Sequence, residues 1–161
     1  MADPVRLQLS RRKGFDLQAL SRGVNGLPAA NVARPGKYGN PYPVAKVELA
    51  LAKSHDWAGR CTSPLYLSWA ESHFRHIDKT ALQAELAELA QRTAVALFAI
   101  EVAQFERYDR AELQHWLGPL RDKNLACWCE LGRPCHADVL IELANRPVCE
   151  AIPSTTGADH E

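Results

Sequence analysis

Apolar and polar residues alternate over residues 5–9, "VRLQL", the period of a short half-buried strand. A second strand is expected at "ANVA", residues 30–33, entering an irregular loop. Residues 34–43 of that loop hold three prolines and two glycines, which exclude helix and central strand alike. After Pro43 the period becomes helical in "VAKVELALAK", and Ser63 with Pro64 makes an N-cap and first helical position ahead of "LYLSWAESHFRHI". Thr80 with Gln83, and Asp109 with Glu112, have the spacing of capping boxes ahead of two further helices. Between them "TAVALFAIEVAQF" suits a buried strand or a continued helix, and its period does not choose for residues 94–105. "NLACWC", residues 124–129, reads as a buried strand and "ELGRP" as a turn. "CHADVLIELAN" then reads as a helix with its apolar stripe at Val139, Leu140, Leu143 and Ala144.

These elements predict an α/β fold: one small domain over residues 1–146, a short central sheet flanked by helices, and a Rossmann-like strand-turn-helix at the C-terminal end. Residues 147–161 turn small and polar, as a disordered tail does. At 161 residues the chain buries enough surface to fold without metal or disulfide. No apolar run approaches the ~20 residues that span a bilayer, and the N-terminal residues lack a signal-peptide core, so a cytoplasmic protein is expected. Five cysteines in a reducing compartment are then thiols, ligands or catalytic groups. Net charge is zero but uneven: residues 1–46 carry eight Lys and Arg against two Asp and Glu, and residues 47–161 eleven against seventeen. An anionic ligand near the N-terminal segment, or a solvated basic edge, accounts for the imbalance.

The densest chemistry is "LACWCELGRPCHADVL", residues 125–140. On a strand Cys127 and Cys129 share a face about 6.6 Å apart along the chain, while Trp128 faces the other way, into packing. Cys135 and His136 fall at a helix start, where exposed N–H groups favour thiolates and anions. Cys127, Cys129, Cys135 and His136 have the ligand types of a zinc site, although C-x-C-x5-C-H is not the usual spacing and adjacent Cys-His ligands are awkward. The preferred division keeps Cys127 and Cys129 as packing residues on a core strand and makes Cys135 and His136 the site. Asp138 lies in the first turn, where a carboxylate is favoured by the dipole anyway. In "RPGKYGNP", Arg34 and Lys37 supply positive charge, Gly36 and Gly39 permit close approach, and Asn40 before Pro41 has its amide free to read a polar ligand. His55, His73, His76 and His115 read as surface residues.

Three segments in this order resemble the DUF4326 family, a domain of unknown function found in phages and bacteria. The likeness falls on Arg11, Lys13 and Gly14; on Val32, Arg34, Pro35, Gly39, Asn40 and Pro41; and on Cys127, Trp128, Cys129, Pro134, Cys135, His136, Ala137 and Asp138. It covers residues 5–146. Phe15 and Tyr38 stand where other members carry Trp, and the stretch around residues 79–108 is longer than usual. The Cys-His helix start is also similar to that of the DUF488 family, which lacks the Cys-Trp-Cys pair. The resemblance implies a family and no reaction. With ligands expected at strand C-termini beside helix N-termini, the three segments converge on one pocket that handles a nucleotide or nucleoside, as an enzyme acting at a glycosidic or phosphate bond. Arg11, Lys13, Arg34 and Lys37 then hold anionic oxygens, Asn40 reads base or ribose, and Cys135, His136 and Asp138 line the reaction side. The alternative is a non-catalytic zinc module, held by Cys127, Cys129, Cys135 and His136, that meets nucleic acid or a phage protein.

Overall fold

Three short strands lie parallel, with β3 (Asn124–Cys127) between β1 (Arg6–Gln8) and β2 (Ala29–Asn31). Leu7 stands opposite Ala126 and Ala30 opposite Leu125. Every residue of β3 is buried, as the middle strand of a covered parallel sheet must be. The computed structural model describes residues 2–55 and 79–147. Among the described residues five α-helices stand around the sheet: α1 (Leu17–Asn25), α2 (Val44–His55), α3 (Lys79–Tyr108), α4 (Arg110–Leu117) and α5 (His136–Asn145). The chain is α/β, with the layers its alternating periods predict.

The open question over residues 94–105 is settled as helix: α3 is continuous through them. Its buried residues Ala90, Ala94, Phe98 and Val102 recur every fourth position, one stripe of a helix, whereas Ile100 faces solvent. Ala90 and Ala94 pack on Val47 of α2, and Phe98 and Val102 join the main core of Leu113, Leu117, Leu125 and Leu140. The helix already includes Lys79, so Thr80 lies inside it instead of capping it. Asp109 does cap α4, accepting from the Glu112 N–H at 2.9 Å. In α5, Leu140 and Ala144 are buried and Val139 and Leu143 half-buried, as expected.

One helix is unexpected. Residues 17–25, to which the pattern assigns no element, form α1, opened by Asp16, whose carboxylate accepts from the N–H groups of Gln18 and Ala19 at 2.8 and 3.1 Å. Gly26 closes it in the left-handed region, φ 81°. Helix α1 then serves the sheet through two amides. The Gln18 side chain donates to the Ala29 carbonyl at 2.8 Å and accepts from the Ala29 N–H at 3.0 Å. Asn25 exchanges two hydrogen bonds with the buried Asn124, which also accepts from Val5 N–H and donates to the Ser21 hydroxyl.

None of the described helices is long and apolar enough to cross a membrane. The expected helix start at Ser63 and Pro64, His73 with His76, the side chain of His55, and the tail beyond Pro147 lie outside the described residues.

Candidate metal centre and its pocket

All three strands run the same way, so their C-terminal ends open on one edge of the sheet. β3 ends at Cys127, two residues earlier than the alternating pattern suggests, and the chain turns there. Cys129 therefore follows a bend, and the Cys127 and Cys129 sulfurs lie 3.7 Å apart. Trp128 is consequently not packed behind the strand as expected: it is 45% exposed, with the Arg11 guanidinium 5.1 Å above its ring. The turn at residues 130–133, with Gly132 in the left-handed region, carries the chain back so that Cys135 rejoins the pair. The Cys127, Cys129 and Cys135 sulfurs all lie within 4.8 Å of one another. Zinc–sulfur bonds of ~2.3 Å at tetrahedral angles put sulfur ligands ~3.8 Å apart, so little movement separates this trio from a coordination shell.

Cys135 also caps α5. Its backbone is extended, and its sulfur accepts from the Ala137 N–H at 3.5 Å, where a hydroxyl or carboxylate usually stands. The neighbouring His136 is buried, edge-on to the Phe98 ring. Its Nε2 lies 2.9 Å from the Val32 carbonyl, which can only accept, so Nε2 carries the proton and Nδ1 presents a lone pair. Nδ1 faces the Cys135 sulfur at 3.8 Å, although His136 does not join the mutual 4.8 Å group of the three thiols.

Three thiols this close share protons unequally. Hydrogen bonds from Cys129 and Cys135 push the Cys127 thiol far down, so Cys127 carries the first negative charge. Donating to Cys127 pushes Cys129 up, and Cys135 is pushed up strongly by the same bond to Cys127, by one to Cys129 and by burial. A divalent cation removes this conflict by replacing the protons. At neutral pH its binding displaces two of them, from Cys129 and Cys135. Metal affinity is therefore expected to fall as pH falls, by up to about 100-fold per pH unit, the slope for two protons. Competition titrations at several pH values read that slope.

Arg6 escaped the sequence reading, because a polar position in an alternating strand passes for a solvent-facing one. Its side chain is only 9% exposed. It donates to the Arg133 carbonyl at 2.8 Å, the Glu130 carbonyl at 3.2 Å and the Asp138 carboxylate at 2.8 Å. These bonds fix the turn that brings Cys135 back to Cys127. Arg6→Ala should weaken metal binding by about 10- to 100-fold, the usual effect of removing a group that orients ligands. Metal titration against a chelator checks it.

A pocket of about 310 Å³ opens above the thiols, with all three cysteines and His136 in its lining. Arg11, Arg34 and Asn40 reach the same pocket, so the three motif segments do converge. Lys13 and Lys37 do not line it; Lys37 instead lies 4.7 Å from the ring of Tyr38. Asp138 is turned onto Arg6 and is 53% exposed, so Cys135, His136 and Asp138 form no hydrogen-bonded relay. Asn40 is nearly buried and occupied: its amide donates to the Ala94 carbonyl at 2.9 Å and accepts from Tyr42 N–H at 2.8 Å, tying the loop to α3. It supports the wall of the pocket.

The sequence pattern of a domain of unknown function, DUF4326, matches residues 21–146. The chain belongs to the DUF4326 family. The match takes in the segment from Val32 to Pro41 and the whole Cys-Trp-Cys to Cys-His-Ala-Asp motif, and begins beyond Arg11. No curated relative and no solved structure matches this DUF4326 chain. In this member the family's closing motif supplies all three sulfurs and His136, and the Arg-Pro segment supplies Arg34 and, through Val32, the carbonyl that orients His136.

Proposed function

We propose that this DUF4326 domain is a zinc protein, with the ion held by Cys127, Cys129 and Cys135 and His136 Nδ1 beside it. The observation that carries the reading is the mutual approach of the three sulfurs to within 4.8 Å. Three other features support it. The Nδ1 lone pair faces the cluster, Arg6 holds the returning turn in place, and the thiols' protons are in mutual conflict until a cation replaces them. Thiolate and imidazole donors favour zinc over magnesium or calcium, which take oxygen ligands. The domain has a core of its own, so the ion organises the strand end, the turn and the start of α5 without being required for the whole fold.

Metal analysis of protein purified without added metal tests this reading. Near one zinc per chain is expected, with release of the ion and a lower melting temperature on strong chelation. Protein that carries no ion, and takes up none when zinc or cobalt is titrated in under reducing conditions, would refute it.

A further inference from the structure

We infer that the pocket above the thiols binds a nucleoside monophosphate, its phosphate between Arg11 and Arg34 and its ring system along the apolar lining. The inference concerns the same pocket as the zinc reading, but does not depend on the ion.

The charge is placed by topology. Arg11 follows the end of β1 by three residues, Arg34 follows the end of β2 by three, and Cys127 ends β3, so each strand delivers a polar lining residue to the same edge, two of them arginines. This is the edge at which parallel sheets bind ligands. Among the described residues the ion pairs use Arg6, Arg92, Arg133 and Arg146, and neither Arg11 nor Arg34 meets a carboxylate. Arg11 and Arg34 bring two fixed positive charges to the lining, and no carboxylate is among the residues that form it, so the pocket favours an anion.

Both arginines are also seated. The Arg11 guanidinium lies over the Trp128 ring. Gly39 lies against Arg34 so closely that a Cβ there would stand 2.6 Å from Arg34 Cγ and 2.9 Å from its Cα and N. Only glycine at position 39 leaves Arg34 in place. The lining that comes from α2, α3 and the residues before α2 is different in kind: Val44, Ala94 and Val95 are apolar, with Tyr42 and Gln91 as polar groups. Charged and apolar lining together, in a volume of about 310 Å³, suit a small ligand that joins a phosphate to a planar ring.

Calorimetric titration of the full chain with AMP, inorganic phosphate and adenosine tests this, with metal content measured on the same samples. AMP should bind one per chain, with phosphate and adenosine each at least about tenfold weaker. Arg34→Ala, at an exposed position, should weaken AMP by about 10- to 100-fold with the melting temperature and metal content unchanged. Val95→Trp, which adds bulk to the apolar lining, should do the same. The inference is overturned if AMP fails to bind the wild-type chain, if Arg34→Ala binds it equally well, or if phosphate alone binds as tightly as AMP. Protein that binds AMP, yet carries no zinc and takes up none on titration, would remove the metal reading and leave this one standing.

Discussion

Cys127→Ser is expected to lower zinc affinity by about 100- to 1000-fold. Structural zinc binding amounts to ~10–16 kcal/mol over four ligands, so one ligand corresponds to ~2.5–4 kcal/mol. Serine keeps the size and a hydrogen-bonding atom, but its hydroxyl does not ionise near neutral pH. The variant should also lose most of the difference in melting temperature between zinc-loaded and chelated protein. At free zinc about 1000 times Kd that difference corresponds to ~4 kcal/mol, or roughly 8–16 °C for a domain of this size. Competition with a coloured chelator and thermal unfolding measure the two effects. Zinc held as tightly by the serine variant as by the wild type would remove Cys127 from the coordination shell.

Asn124→Ala is expected to be the most damaging change outside the cluster, at about 3–4 kcal/mol. The side chain is fully buried at the start of the central strand and joins β1 to α1. Its loss strands the Val5 N–H, at ~1–3 kcal/mol, removes two hydrogen bonds from Asn25 and one from Ser21, at ~0.5–1.5 kcal/mol each although both keep other partners, and opens a cavity under Ser21. Asn124→Asp is the control. It keeps the acceptor for Val5 but cannot donate to Ser21 or Asn25 when ionised. Burial raises such a carboxyl's pKa in the folded state, so the folded chain binds the proton more tightly and the aspartate variant should regain stability as pH falls. Denaturant unfolding at two pH values separates the two variants. A loss under 1 kcal/mol for the alanine variant would mean that the network contributes little.

Much of this fold was legible because its elements are local. Residues 5–9 alternate, the α5 stripe repeats helically, and Asp109 stands where a cap is needed, so each declares itself within a few positions. Helix α1 is hard to see because a segment rich in Gly and Asn runs on from it; its signals are the Asp16 cap, the closing Gly26 and the i, i+3, i+7 spacing of Leu17, Leu20 and Val24.

The site was legible only in its parts. Nothing in the spacing of Cys127, Cys129 and Cys135 says that a turn folds back. The contact that enforces it comes from Arg6, more than a hundred residues away. Dividing the cysteines into a packing pair and a reactive helix start followed from sequence adjacency, and the return of the chain at residues 130–135 joins them. Asn40 was misjudged for a related reason. A free amide in a loop and an amide that fastens the loop to a distant helix have the same local sequence, and only α3 decides between them.

The double hydrogen bond between Gln18 and Ala29 also bears on the edge of the sheet. Among the described residues Ala29 lies on an outer strand, and its outward N–H and carbonyl are what an incoming strand would use to extend the sheet. The Gln18 amide already takes both, as one residue of a neighbouring strand would. Strand addition on this side would first have to displace a side chain tethered to its own helix, so the amide takes the place of a further strand at Ala29.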